Sequence, residues 1–172
     1  MRAGHMRVRV AVGAVTASTA DVLVRTCSSS LLDRGDPVLE AAGPEVIDGL
    51  RLQRRRNGRL AESSTVTTPA GALAAGWLVH VSVPRWSVAA DHSHRLAAAY
   101  RAVLGAADVL GARTLAMPAL GTTGPYWPLE ELARIGIGTL ASTPSGLRDV
   151  QLLVSTAAAL EALAEAMARE SS

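Results

Sequence analysis

The sequence predicts a protein of the α/β class, with helices covering both faces of a layered sheet. Strand-like and helix-like segments alternate through the second half of the chain, which favours parallel strand pairing. An apolar strand at residues 115–118 runs into a glycine–threonine loop that opens a helix at Pro128. The chain has 172 residues, 49% of them hydrophobic, which is enough to fill one core.

The first half contains two predicted strands and a helical region. Residues 7–15 alternate basic and apolar side chains, which indicates an edge or outer strand with one buried face. Residues 21–27 carry consecutive apolar side chains, as a strand covered on both faces does. Residues 37–56 indicate helix with a break near Gly43 and Pro44, because proline cannot continue a helical hydrogen-bond ladder.

The remaining elements follow in order. Residues 64–69 and 77–83 are β-branched or apolar, and the glycines between them predict a hairpin-like pair of strands. A helical period begins at His94 and ends at Gly111. Beyond the glycine–threonine loop and its helix, we expect a strand at residues 150–154 and then an amphipathic helix.

Composition and charge exclude several classes of protein. The net charge of +2 and the 3% aromatic content do not indicate a nucleic-acid partner, and no apolar run is long enough to span a membrane. All 17 basic residues are arginine, which excludes lysine Schiff-base chemistry. The single Cys27 excludes an internal disulfide and favours the cytoplasm. We expect residues 1–5 to be a cloning remnant or a disordered terminus and residues 6–172 to form one domain.

The loop at residues 121–126 is the strongest candidate for a binding site. Its backbone N–H groups and the hydroxyls of Thr122 and Thr123 lie between the end of a strand and the start of a helix, where anions are favoured. The alternative is a tight strand-to-helix turn, and Trp127 beside it is expected in the core. We expect Gly121→Val to weaken anion binding without unfolding the domain.

Four motifs follow one another along the chain. They are Gly-Ala-Val-Thr at residues 13–16, Val-Leu-Val-Arg-Thr-Cys-Ser-Ser-Ser-Leu at 22–31, Leu-Val-His at 78–80 and Met-Pro-Ala-Leu-Gly-Thr at 117–122. Their order and spacing resemble the macrodomain family, whose members commonly bind ADP-ribose or remove it from proteins and acetylated forms. The resemblance implies a three-layer α/β/α sandwich around a central mixed, largely parallel sheet.

Several positions depart from the family pattern. Ala14 stands where the family has an aspartate that accepts from the adenine amino group. Arg25 and Ser28 stand where it has two asparagines at the distal ribose. The first phosphate loop is shortened and keeps one glycine, Gly35, between aspartates that would repel a pyrophosphate, and Thr123 replaces a glycine of the second loop.

The resemblance implies a set of ligand-binding residues around one cleft. They are Val15, Arg25, Ser28, Gly35, Gly121, Thr122, Thr123, Gly124 and Tyr126. Arg25 has two interpretations: a bidentate contact with a phosphate or carboxylate of the ligand, or a pairing with Asp33 or Asp36 that fills the cleft. No metal or cofactor is expected, and catalytic residues stay unassigned.

Three other clusters have a functional and a structural interpretation. Cys27 and His80 lie near strand ends, as a nucleophile and a base would, or are a buried thiol and a core histidine. The run Asp-His-Ser-His at residues 91–94 offers metal ligands or a helix cap. The arginines within residues 51–59 suit an acidic partner or a solvated helix end.

These observations lead to three hypotheses. The first is a module that binds ADP-ribose or another nucleotide-like, phosphate-bearing metabolite, free or on a protein, through the 121–126 loop and Ser28. The second is an ADP-ribosyl or O-acetyl-ADP-ribose hydrolase, in which substrate phosphate and cleft residues activate a water. The third is a ligand-free scaffold for protein contacts, favoured if Arg25 pairs with Asp33 or Asp36.

Overall fold

The structure is a computed structural model that describes residues 1–123 and 127–172. The strands of these residues are β1 (Arg2–Ala3), β2 (Met6–Val12), β3 (Val22–Cys27), β4 (Thr65–Pro69), β5 (Trp77–Ser82), β6 (Thr114–Pro118) and β7 (Asp149–Val154). The α-helices are α1 (Pro37–Ala42), α2 (Pro44–Asn57), α3 (Ser93–Val109), α4 (Leu129–Ser142) and α5 (Ala157–Glu170), and Val15–Ala17 form a 3-10 turn.

All strands join one sheet in the order β1-β2-β7-β6-β3-β5-β4. The edge strands β1 and β4 run antiparallel to their neighbours, whereas the pairings from β2 to β5 are parallel. The mixed, largely parallel sheet and the hairpin-like pairing of β4 with β5 are therefore confirmed.

The N-terminal residues take part in the sheet, where the sequence offered a disordered terminus as one of two alternatives. In β1, Ala3 pairs with Met6 and Arg2 with Arg7. The Met1 amino group donates to the Val8 carbonyl oxygen, which adds a second tie to β2. The origin of residues 1–5 as a cloning remnant stays a prediction, as does the single-domain boundary at residue 6.

Alternation along the strands divides the apolar core between two helical layers. In β3, Val22 and Val24 pack with the layer of α3, α4 and α5, whereas Leu23 packs with α1 and α2 on the opposite face. The predicted three-layer α/β/α sandwich is confirmed. No helix within residues 1–123 and 127–172 is both long and apolar enough to cross a membrane.

Local sequence signals place the helices that border the sheet edge. Asp36 caps α1, because its Oδ1 accepts from the Val38 and Leu39 backbone N–H groups. Gly43, at a φ of 93°, separates α1 from α2, and Pro44 opens the second helix. The predicted break is confirmed.

Candidate functional site

The carboxyl ends of the parallel strands border a cleft of about 920 Å³. Parallel strands end at the same edge of a sheet, so the segments that follow them converge there. The expected binding residues that line the cleft are Val15, Arg25, Ser28, Gly35, Thr122 and Thr123. Gly121 is buried beside the cleft rather than in its lining, and Gly124 and Tyr126 lie outside the described residues.

Arg25 is the most deeply buried charge of the site, with 2% of its surface exposed. Its Nε donates to Asp36 Oδ2 across 2.7 Å, and its Nη2 donates to Asp33 Oδ2 across 2.9 Å. Nη2 also donates to the Leu31 carbonyl oxygen at 2.8 Å. Sequence analysis left two interpretations of Arg25 open, contact with an acidic group of the ligand or pairing with an aspartate. In the structure Arg25 pairs with both aspartates at once.

The sequence interpretation expected that a pairing of Arg25 with aspartate would fill the cleft. The structure shows that it does not. Arg25, Asp33 and Asp36 lie in the wall and leave the volume in front of them open. Burial alone would raise the pKa of Asp33, but hydrogen bonds from Ser28 and the charge of Arg25 outweigh it and hold that pKa below its ordinary value. The cleft wall thus carries two carboxylates on one guanidinium.

His80 is fixed by partners on both ring nitrogens. Arg25 Nη1 lies 2.8 Å from His80 Nδ1, and because arginine only donates, Nδ1 must be unprotonated. The proton is then on Nε2, which donates to Thr68 Oγ1 across 3.0 Å. Burial, with the charge of Arg25, lowers the pKa of His80 to about 3. His80 is a neutral core histidine and not a base.

Cys27 lines the cleft but is a poor nucleophile. Burial raises the pKa of its thiol to about 12, although the nearby charge of Arg25 acts in the opposite direction. Both ring nitrogens of His80 are engaged by Arg25 and Thr68, so neither is left to activate the thiol. The nucleophile-and-base interpretation of this pair is wrong.

The threonine hydroxyls of the second loop are arranged differently from the sequence expectation. Thr122 Oγ1 donates to the carbonyl oxygen of Ala119 at 2.6 Å, so its proton is not offered to an anion. Thr123 Oγ1 lies 3.2 Å from Thr26 Oγ1, and this contact joins the second loop to the end of β3. Thr123 is the exposed member of the pair.

Gly121 is required by packing as well as by backbone conformation. Its φ is 94°, and a Cβ added there would lie 2.8 Å from Cδ1 of Trp127. Trp127 is in the core as expected, with its Nε1 donating to the Pro84 carbonyl oxygen and its backbone N–H to that of Gly121. Contrary to the sequence expectation, we therefore expect Gly121→Val to destabilise the fold, because the side chain has no room beside Trp127.

The other clusters take their structural interpretations. Asp91 Oδ1 accepts from the Ser93 backbone N–H at the start of α3, and the described residues hold no group of three potential metal ligands. Arg51 pairs with Asp48 at 2.9 Å. The arginines at 54–56 lie in the last turn of α2, where the negative end of the helix dipole favours positive charge.

Arg85, Glu62 and His92 also line the cleft. Sequence reasoning did not name Arg85 or Glu62, and it considered His92 as a metal ligand or part of a helix cap and not as a cleft residue. Arg85 could have been found, because it follows β5 closely and the carboxyl end of a parallel strand is where binding residues collect. Glu62 and His92 belong to loops before β4 and α3, and nothing in their local sequence indicates which edge of the sheet they reach.

Fold and cleft together define an α/β/α sandwich that opens a pocket at the carboxyl edge of its sheet. A family model described as Macro domain matches residues 24–136. The chain belongs to the macro domain family.

Relatives and solved structures agree with this assignment. The Macro domain-containing protein SCO6450 of Streptomyces coelicolor is 37% identical over 159 residues, covering 88% of this chain and 93% of that protein. An O-acetyl-ADP-ribose deacetylase of Enterobacter sp. is 32% identical over 139 residues, covering 78% of this chain and 77% of the relative. The Oceanobacillus iheyensis macrodomain with ADP superposes with a TM-score of 0.89 at 23% identity, covering 98% of this chain and 94% of that one.

Proposed function

We propose that this macro domain binds ADP-ribose, free or attached to a protein, in the cleft at the carboxyl edge of the sheet. The observation that carries the proposal is that about 920 Å³ stays open although Arg25 is paired within the wall. Pockets for organic ligands are typically about 300–1,000 Å³, so the cleft has room for a nucleoside diphosphate with a second sugar.

Arg34 and Arg85 are the groups available for the diphosphate. Both side chains are exposed at the cleft, and no carboxylate of the described residues forms an ion pair with either. The charge of Arg25 is already met by Asp33 and Asp36. A guanidinium binds phosphate oxygens in a bidentate manner, so these two arginines compensate for the shortened glycine loop.

Similarity to other macrodomains supports the class of ligand. The Oceanobacillus iheyensis structure contains ADP, and a Trypanosoma brucei macrodomain in complex with ADP has a TM-score of 0.80 at 19% identity over 92% of this chain. We place the protein in the cytoplasm, where a single cysteine stays reduced.

Hydrolysis of an O-acetyl-ADP-ribose or ADP-ribosyl ester is the second candidate. It is favoured by the name of the Enterobacter relative and by Asp33, an ionised carboxylate at the cleft that could orient a water. Cys27 and His80 take no part in it. The condition that favours the scaffold hypothesis, pairing of Arg25 with Asp33 or Asp36, is met. The pairing nevertheless leaves the cleft open, and for that reason we rank ligand binding above the scaffold.

Titration calorimetry with ADP-ribose, AMP and ribose 5-phosphate tests the binding proposal. We expect ADP-ribose to bind more tightly than either fragment, because it alone carries the adenosine, the diphosphate and the second ribose together and can fill more of the cleft. A folded protein that gives no heat with any of them contradicts the proposal. Release of acetate or of free ADP-ribose from a modified protein above a blank would establish the hydrolase as well.

A further inference from the structure

The segment from Ser28 to Asp36 forms much of the cleft wall without helix or strand of its own. Leu31 adopts a φ of 68°, a left-handed conformation that leucine rarely takes, and its side chain is 1% exposed. A residue holds such a conformation only when its surroundings determine it. The Leu31 carbonyl oxygen accepts from Arg25, so the strained residue is tied directly to that guanidinium.

Arg25 connects this segment at several points. It bonds to Leu31 in the middle, to Asp33 two residues later and to Asp36 at the end. Asp33 Oδ2 in turn accepts from the Ser28 backbone N–H at 3.0 Å, which closes the segment back onto its start. The side chain of Arg25 therefore organises the Ser28–Asp36 segment through hydrogen bonds. In a glycine-rich phosphate loop, the conformational freedom of the glycine backbone serves this purpose.

The orientation of Arg25 is itself set from the sheet. His80 is its partner in the register of β3 and β5, and the hydrogen bond between the two side chains ties the guanidinium to the neighbouring strand. Thr68 of the edge strand β4 holds the far side of the imidazole. A continuous line of hydrogen bonds thus runs from the sheet edge through His80 to the cleft wall.

We propose that Arg25 is a positioning residue, which holds the Ser28–Asp36 segment in its binding conformation before the ligand arrives and does not itself bind the phosphates. The inference rests on the proposed function of the cleft. A segment that reaches its competent conformation only about one-tenth of the time binds about tenfold more weakly, so the effect of losing Arg25 is measurable as affinity.

The test compares Arg25→Gln with Arg25→Lys and with a control, Arg101→Gln, which removes an exposed arginine of α3 away from the cleft. Amide hydrogen exchange measures the protection of the Ser28–Asp36 segment. The exchange rates of strands β6 and β7 serve as the internal reference. Calorimetry gives the affinity for ADP-ribose well below the melting temperature of each variant. Long-range ¹⁵N spectra of His80 report whether Nδ1 still accepts a hydrogen bond.

In Arg25→Gln we expect faster exchange confined to the segment, a changed His80 Nδ1 shift and an affinity about tenfold lower, with the loss in the binding entropy. Arg25→Lys keeps the positive charge but lacks the planar guanidinium with its several donors. It should therefore restore little of the segment's protection or of the affinity. Arg101→Gln should match the unmodified protein. If Arg25→Gln does not fold, Asp33→Ala, which removes the acceptor of the hydrogen bonds from Arg25 Nη2 and the Ser28 N–H, gives the same comparison of segment exchange and affinity.

An affinity within about twofold of the unmodified protein, measured while the segment exchanges faster, would overturn the positioning role, because order in the segment would then not matter for binding. A segment that stays protected in Arg25→Gln would overturn it as well. If the unmodified protein binds none of the ligands, the proposed function fails and this inference fails with it, an outcome distinct from both.

Discussion

Arg25 Nη1 and His80 Nδ1 lie 2.8 Å apart on neighbouring parallel strands, with the arginine donating. A second proton on His80 would place two cations face to face in the sheet interior, and His80 is 0% exposed. The arrangement is stable only while the imidazole is neutral. The same contact that orients Arg25 therefore makes the fold sensitive to acid.

Acid should destabilise the protein well above the pH at which its carboxylates titrate. In the unfolded chain His80 takes up a proton near its ordinary pKa of 6.5, whereas in the fold its pKa is lowered to about 3. The contribution of neutral His80 is complete above pH 6.5 and is lost as the pH falls toward 3. Linkage gives a loss of about 2 kcal/mol in the free energy of unfolding between pH 7 and pH 5.

Urea unfolding at the two pH values measures this loss. A His80→Gln variant removes the titrating group while keeping a side chain that can accept from Arg25, and its stability should change little over the same interval. Equal stability of the unmodified protein at both pH values would mean that His80 is not held neutral.

Cys27 should resist alkylation in the folded protein. With its pKa raised by burial from 9.0 to about 12, the thiolate fraction near pH 8 falls by about a thousandfold. Mass spectrometry after iodoacetamide treatment, with and without urea, compares folded and unfolded rates. A folded-state rate equal to that in urea would show an accessible thiolate and restore Cys27 as a candidate nucleophile.

Gly121→Ala should destabilise the fold by about 2 kcal/mol or more, because the new Cβ meets Trp127 and the positive φ disfavours any side chain. Gly138→Ala is the matched control, since its Cβ would lie 3.5 Å from the nearest atom, Glu170 Oε1, in the middle of α4. That change should raise stability by about 0.5–1 kcal/mol through helix propensity. Denaturant midpoints that shift alike in both variants would contradict the contact with Trp127.

Arg34→Gln and Arg85→Gln should each weaken ADP-ribose binding by about tenfold, because a charge-assisted phosphate contact contributes about 1.5–3 kcal/mol. The affinity of both variants should also depend less on salt than that of the unmodified protein. Arg101→Gln, outside the cleft, should change neither quantity. Loss of affinity in Arg25→Gln alone, with these two variants unaffected, would place the phosphates elsewhere.

Local patterns were enough to predict the elements of the fold but not the contacts across it. The alternating residues of β2 and the break at Gly43 depend on neighbours in sequence, and both were predicted. The partners of Arg25 lie 6 to 55 positions away, so the choice between ligand and aspartate could be made only from coordinates. Thr122 was misread because its hydroxyl turns back to Ala119, a local bond that competes with any ligand.

The central claim is that a ligand binds in the cleft at the carboxyl edge of the sheet, and titration of ¹⁵N-labelled protein with ADP-ribose tests it most directly. We expect saturable amide shifts in residues 13–15, 28–29, 33–36 and 122–123, which line the cleft. The groove of about 260 Å³ between α2 and β4, lined by Gly49 and Val66, serves as the internal control and should not respond. Shifts confined to that groove, or no shifts at all, would contradict the account.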